Sequence, residues 1–285
     1  HNALEDNAEM KTLSWMQTVA VLAPAFGPLL GAIWLHYYSW SSLFWALQLL
    51  ALALLVALFL VMPANVSVIV RSPFKKILKG YSTLLLKRPK FLQQVGAIAT
   101  LFGANIAWIC AGPIITLEYN HLSMLQFGMI QGVIFSGFLI GSHWTKQRID
   151  KKNVGYLKQV CIVLSSVSAA LSLVGIIIPN PPLYFIMTLM WILSFSSAIG
   201  FPIFNRSAVM ASDQPMGLTM ATSAFVISAA SALVSAILNR YLSSSSLQPF
   251  LWTAAAFAIM PLCLQPPKGF KISFYIFIFQ VTSLK

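Results

Sequence analysis

The sequence predicts an all-α fold, a polytopic transmembrane helical bundle of about eight spans. Three observations predict it. The 285 residues are 58% hydrophobic and 8% charged, against about 25% charged for a soluble domain. The mean hydropathy is +0.81. The apolar residues fall into runs of the roughly 20-residue length that crosses a hydrocarbon core, and most charges collect between those runs. The net charge of +12 could suggest nucleic acid. The basic residues stand at run ends, however, where they read as topology signals, so no nucleic-acid partner is expected.

The first span covers about 13–38 and contains Ala23-Pro24-Ala25-Phe26-Gly27-Pro28-Leu29-Leu30-Gly31-Ala32. In water an interior proline costs a helix about 3 kcal/mol through the lost N–H and the clash with the preceding turn. A membrane bundle tolerates it where neighbouring helices support the kink. Gly27 and Gly31, four apart, form a face that lets another helix approach closely. A bent, tightly packed helix in a moving assembly follows. The second span covers about 40–62. Tyr37, Tyr38 and Trp40 between the two suit a membrane–water boundary.

The stretch 64–90 carries Arg71, Lys75, Lys76, Lys79, Lys87, Arg88 and Lys90 and no acidic residue. It divides the chain into 1–63, a basic linker over 64–90, a unit over 91–265 and an atypical tail over 266–285. Part of the linker is amphipathic and suits the membrane surface: Ile69, Phe74, Ile77, Leu78 and Leu84 to Leu86 alternate with the basic residues. The third span covers about 91–117 and the fourth about 124–144, followed by a basic loop over 146–152. The fifth covers about 154–178 and ends at Pro179-Asn180-Pro181-Pro182, a sharp chain break. The sixth covers about 183–210, the seventh about 216–242 and the eighth about 250–264. The tail alternates Phe270, Ile272, Phe274, Ile276 and Ile278 with other residues. Its apolar core is too short to span, and no role is assigned to it.

Basic residues alternate from one inter-span loop to the next. The positive-inside rule then puts both chain ends and the linker in the cytoplasm. The chain begins with His1 and shows no signal peptide, which reads as a piece of something longer. Cys110, Cys161 and Cys263 lie in apolar runs without Cys-x-x-Cys spacing, so no disulfide, metal or cofactor is expected. A membrane-embedded enzyme would need intramembrane His, Asp or Ser–Lys clusters, and the spans hold none.

Trp15-Met16, the stretch from Ala20 to Ala32, Trp34-x-His36 and Trp40 resemble the fifth helix of major facilitator superfamily drug/proton antiporters. Gly27-Pro28 with Gly31 is similar to their antiporter motif, motif C. Arg206-Ser-Ala-Val-Met-Ala-Ser-Asp213-x-x-x-Gly217-x-x-x-Ala221 resembles the turn between helices ten and eleven of MdfA-type multidrug efflux transporters. The resemblance implies a major facilitator fold lacking its first four helices, with 13–38 as the family's fifth helix and 250–264 as its twelfth. One departure stands out. After the fourth span, Gly141 and a basic residue keep the family's loop pattern, but Thr145 stands where an aspartate belongs.

The implied function is multidrug/proton antiport in a bacterial inner membrane. Lipophilic cationic or neutral drugs and protons are the partners, and the protein is a monomer in the bilayer. Proton coupling needs a titratable group within the membrane. All six acids, Glu5, Asp6, Glu9, Glu118, Asp150 and Asp213, fall in loops or at helix ends. The resemblance puts the coupling acids and an essential arginine on the absent helices, so this piece alone is expected to be inactive. A non-transporting membrane remnant and an uncoupled facilitator are the alternatives.

Pro24, Gly27, Pro28 and Gly31 are candidates for a gating seam against the small residues of the seventh span, Ala221 to Ser235; ordinary helix packing is the other reading. The resemblance puts Met16 and Ala20 on the pocket side of motif C. Asn105 and Gln131 are candidate substrate contacts or interhelix hydrogen bonds. Trp108 is a candidate stacking surface for a cationic drug or a packing residue. Arg206 and Asp213 are a candidate cytoplasmic latch, with a snorkelling arginine as the other reading. Glu118, His36 and His143 read as solvated helix ends.

Overall fold

A computed structural model describes residues 27, 30–35, 37–61, 74–149, 154–242 and 246–265. It is all-helical, with no strand among the described residues. In chain order come α1 (Trp40–Val61), α2 (Phe74–Lys87), α3 (Pro89–Pro113), α4 (Met124–Ile149), α5 (Val154–Ile177), α6 (Leu183–Met210), α7 (Met216–Tyr241) and α8 (Gln248–Leu264). Among the described residues, six helices are long and apolar enough to cross a membrane, and α8, at 17 residues, is a shorter apolar helix. The first predicted span is described only in part, as helix over 30–35. Its end is tied to α1 by the Trp34 indole N–H, which donates to Ser42 Oγ at 2.9 Å.

Two boundaries differ from expectation for local reasons. The basic loop predicted from residue 146 is helical to Ile149. Lys146 and Arg148 sit in the last turn of α4, where cations complement the helix dipole, and the Arg148 guanidinium lies 4.2 Å from the Trp144 ring one turn back. The third helix extends past its predicted end as a wide π turn over Ile114–Tyr119. Pro113 starts that turn; it has no N–H for the α-helical ladder, and π turns are one way a helix absorbs such a break.

α3 and α6 form the centre of the bundle. α3 packs on α6, α7 and α8, while α6 packs on α3, α4 and α5, and α5 closes the ring against α8. Lipid is as apolar as leucine, so membrane helices associate through close packing and interhelix hydrogen bonds rather than through burial from water. Small residues set that packing here. Gly137 and Gly141, one turn apart on α4, sit against the α6 backbone: a Cβ on Gly137 would come 2.6 Å from the Trp191 carbonyl oxygen, and one on Gly141 2.8 Å from that of Phe195. Hydroxyls bridge the neighbouring α5–α6 seam. Ser168 Oγ donates to Leu189 O at 2.9 Å and Ser196 Oγ to Cys161 O at 2.8 Å. No Asp, Glu, Lys or Arg is among the buried described residues.

α2 lies against α3 and α7 at the end of the bundle where α3 and α7 begin. Leu84 is buried there with Phe91, Val95 and Ala208. α1 is apolar along its 22 residues, and none of them is buried. A helix apolar on every side needs lipid or protein around it.

Candidate functional site

Asn105 lies mid-α3 facing α6 and is buried. Its Nδ2 donates to Leu101 O and to Ser197 Oγ, each at 2.8 Å, and its Oδ1 accepts from Ser194 Oγ at 3.2 Å. Ser197 passes its own proton back to Leu193 O. The amide is therefore spent on joining α3 to α6. Membrane hydrogen bonds of this kind are worth about 0.6 kcal/mol on average and up to about 1.7. Asn105→Ala should lower the thermal midpoint of the purified full-length protein by the few degrees that a free-energy loss of this size produces, while Ser194→Ala, which removes one bond of the set, should lower it less. An unchanged midpoint for Asn105→Ala would show that the network carries no stability.

Trp108, one turn on from Asn105, is fully buried. Its indole N–H donates to Gln131 Oε1 on α4, its ring meets Phe250 of α8 edge-on at 6.2 Å, and Gly112 leaves room for its six-membered ring. The structure thus brings three predicted residues, Asn105, Trp108 and Gln131, into one interior layer around α3. Ser194 and Ser197 complete the layer and were missed. Their signal in the sequence is the i, i+3 spacing of two hydroxyls, which is too common to single out.

Asp213, in the turn between α6 and α7, pairs with Arg88, just before α3. Arg206 is half-buried near the end of α6. Both members of the Arg88–Asp213 pair are nearly half exposed, at 44% and 48%. Such pairs contribute about 0–1 kcal/mol, so this one sets geometry more than stability: it ties the α2–α3 joint to the α6–α7 turn. Thr145, where the family pattern has an acid, is buried and donates to Gly141 O at 2.7 Å. Glu118 is exposed, as is His143, whose Nε2 lies 2.8 Å from Gln147 Nε2.

Met16, Ala20, Pro24 and Pro28 lie outside the described residues, as does His36. Gly27 and Gly31 are described, and a Cβ on either would meet nothing within 4 Å. Further along the same helix, Ala32, Ile33, Leu35 and Tyr37 line a cavity of about 610 Å³ with Ser123, Met124 and Leu125 at the start of α4. The small residues of α7 divide into two sets. Ser223 is buried, and Ser235 turns to Cys110 of α3, with Oγ and Sγ 3.4 Å apart. Gly217, Ala221, Ala224, Ser228 and Ala232 remain exposed.

The arrangement is a packed helical half-bundle with one bare, small-residue face and no buried Asp, Glu, His, Lys or Arg among the described residues. The sequence pattern of the Major Facilitator Superfamily matches residues 3–212. The chain belongs to the Major Facilitator Superfamily. It is 26% identical over 261 residues to the chloramphenicol resistance protein CraA of Acinetobacter baumannii, covering 91% of this chain and 62% of that protein. It is 32% identical over 150 residues to the multidrug transporter MdfA of Edwardsiella piscicida, covering 52% and 36%, and 23% identical over 223 residues to the multidrug resistance protein MdtM of Salmonella typhimurium, covering 76% and 53%. The chain therefore spans between about a third and two thirds of these relatives. As a superfamily member it is a multi-pass membrane protein of a transporter family, related to bacterial multidrug efflux proteins.

Proposed function

We propose that the chain is part of a multidrug/proton antiporter that exports lipophilic cationic or neutral drugs by alternating access across a bacterial inner membrane. The observation that carries the reading is the superfamily match over residues 3–212 together with relatives named for multidrug transport and chloramphenicol resistance. The basic ends of α4 and α5 and the lysines of α2 lie at one end of the bundle, which supports a cytoplasmic placement of that end and of both chain ends. The exposed small-residue face of α7 and the open Gly27–Gly31 face support a seam at which two halves rock. Met16 and Ala20 are proposed as pocket-side contacts on the first helix. Asn105, Trp108 and Gln131 shape the pocket from behind, because their polar atoms are taken up by one another and by Ser194 and Ser197. Arg206 and Asp213 are proposed as part of the cytoplasmic gate, with Arg88 as the cation that Asp213 holds.

Protons moving inward would drive drugs outward. All six acids of the chain fall in loops or at helix ends by sequence, and the coupling acid is therefore proposed to lie outside this chain, and the chain alone to be inactive. The same observation favours an uncoupled facilitator as the second reading.

The test is efflux of a fluorescent lipophilic cation from cells expressing the full-length protein, with and without a protonophore. Antiport predicts efflux that collapses with the proton gradient; efflux indifferent to the gradient selects the facilitator, and no efflux removes both readings. Gly27→Leu and Pro28→Leu should abolish most efflux at normal membrane levels, since a bulky side chain at a close-approach face holds the seam apart. Full efflux by both variants would remove the gating role.

A further inference from the structure

α2 is a feature that drug export leaves unused. It carries Lys75, Lys76, Lys79 and Lys87, is followed by Arg88 and Lys90, and has no acidic residue between 74 and 90. One face is docked: Leu84 is fully buried, and a Cβ on Gly80 would run into the Leu218 side chain and stand 3.2 Å from Gln214 Oε1. Leu218 and Gln214 belong to the α6–α7 turn and the start of α7. Glycine at position 80 lets α2 sit that close without displacing the Leu218 side chain.

The bundle covers less of α2 than its apolar residues span. Leu78 is 59% exposed and Leu86 82% exposed. With Lys75, Lys79, Tyr81 and Ser82 they border a shallow outer groove of about 640 Å³. The four lysine ammonium groups of α2 make no hydrogen bond or ion pair with any described residue. Exposed leucines beside a row of unpaired cations is the pattern of a helix lying at a membrane interface. Unbalanced positive charge selects for anionic head groups there, each lysine near the surface being worth roughly fivefold in partitioning.

We propose that the outer face of α2 binds anionic phospholipid of the leaflet it faces, with Lys75 and Lys79 on the phosphates and Leu78 and Leu86 in the acyl region. The opposite face grips the α6–α7 turn through Gly80–Leu218 and Arg88–Asp213. Bound lipid thereby holds that turn at the membrane surface. The inference uses the proposed orientation but not drug export, and its test reads lipid contact alone, so it stands or falls separately from the transport reading.

The test uses the full-length protein with Ser82→Cys as the single labelled thiol, Cys110, Cys161 and Cys263 being replaced by alanine. It is reconstituted in phosphatidylcholine vesicles with or without phosphatidylglycerol. Acrylamide quenching of the label should fall about threefold or more when phosphatidylglycerol is present. It should return to the phosphatidylcholine value in the Lys75→Gln/Lys79→Gln variant and in strong salt. Equal quenching in the two lipids, whether strong or weak, overturns the proposal; weak quenching in both would mean that protein or uncharged lipid covers the face. Protection by inorganic phosphate in phosphatidylcholine alone also overturns it, because the site would then take a free anion. Should the cysteine-free background fail to fold, hydrogen exchange of residues 74–87 in the unmodified protein decides: slower exchange with phosphatidylglycerol supports the proposal, and equal rates overturn it.

Discussion

Gly141→Val should remove most of the folded protein from the membrane, and Gly137→Val should do the same. A Cβ on Gly141 would stand 2.8 Å from Phe195 O, 2.9 Å from Ala198 Cβ and 3.2 Å from Phe195 Cα; one on Gly137 would stand 2.6 Å from Trp191 O. These obstacles are mostly backbone, so no rotamer change relieves them. α4 and α6 must move apart along the crossing, which also stretches the bond from the Trp191 indole N–H to Ser136 Oγ, 3.2 Å. Overpacking a core costs about 1–3 kcal/mol where side chains can give. It costs more where backbone must move, and folded proteins hold only about 5–15 kcal/mol in reserve. Gly132 on the same helix supplies the control, since a Cβ there meets nothing within 4 Å. Size-exclusion profiles of fluorescent fusions in detergent should show Gly132→Val eluting as the parent does and Gly141→Val aggregated or absent. A monodisperse Gly141→Val with an unchanged thermal midpoint would mean that the α4–α6 crossing is not close in the working protein.

Trp108→Ala is expected to be the most damaging single truncation in the interior layer. Trp108 is the largest of the fully buried side chains, and removing such a ring costs about 3–5 kcal/mol in soluble cores. In lipid, where packing rather than water exclusion joins helices, the lost contacts are the main term. The truncation also strips the donor from Gln131 Oε1, whose residue is 2% exposed; an orphaned buried acceptor costs about 1–3 kcal/mol. Trp108→Phe keeps a six-membered ring but loses the N–H together with the five-membered ring of the indole, so the difference between the two variants measures the packing that the retained ring preserves. Thermal midpoint and drug binding measured in parallel then distinguish the roles. A fall in midpoint with Trp108→Ala, matched by a smaller fall with Trp108→Phe, marks a packing residue. Weakened binding at an unchanged midpoint would instead make Trp108 a direct drug contact.

The two variants show where sequence reading reaches and where it stops. Gly137-x-x-x-Gly141 is visible as a small-residue pair, yet so is Gly128-x-x-x-Gly132 on the same helix. Spacing alone cannot say which pair meets a neighbour, because it carries no rotation of α4 about its own axis. Trp108, Gln131 and Asn105 stood out as polar or amphipathic groups within spans, where unsatisfied groups are costly. Their partners did not: Ser197 is 92 residues from Asn105, and Arg88 is 125 residues from Asp213. Arg206 and Asp213, seven residues apart, read as one candidate latch; the pairing of Asp213 with Arg88 was not legible in the sequence.

The sequence by itself determined the class of the molecule, the position of nearly every described helix and the superfamily. Long apolar runs leave a backbone in lipid no alternative to helix, and prolines, glycines and charges mark the run ends without reference to any other part of the chain. Only the tertiary structure decided which faces meet. It put α3 and α6 at the centre, seated α2 on the α6–α7 turn through Gly80, and divided the small residues of α7 between a packed side and a bare one. The physical reason is that helices of nearly uniform hydrophobicity have no amphipathic stripe to orient them in lipid. Their rotation is set by close contact and by hydrogen bonds between residues far apart in the chain, and those exist only once the bundle has formed.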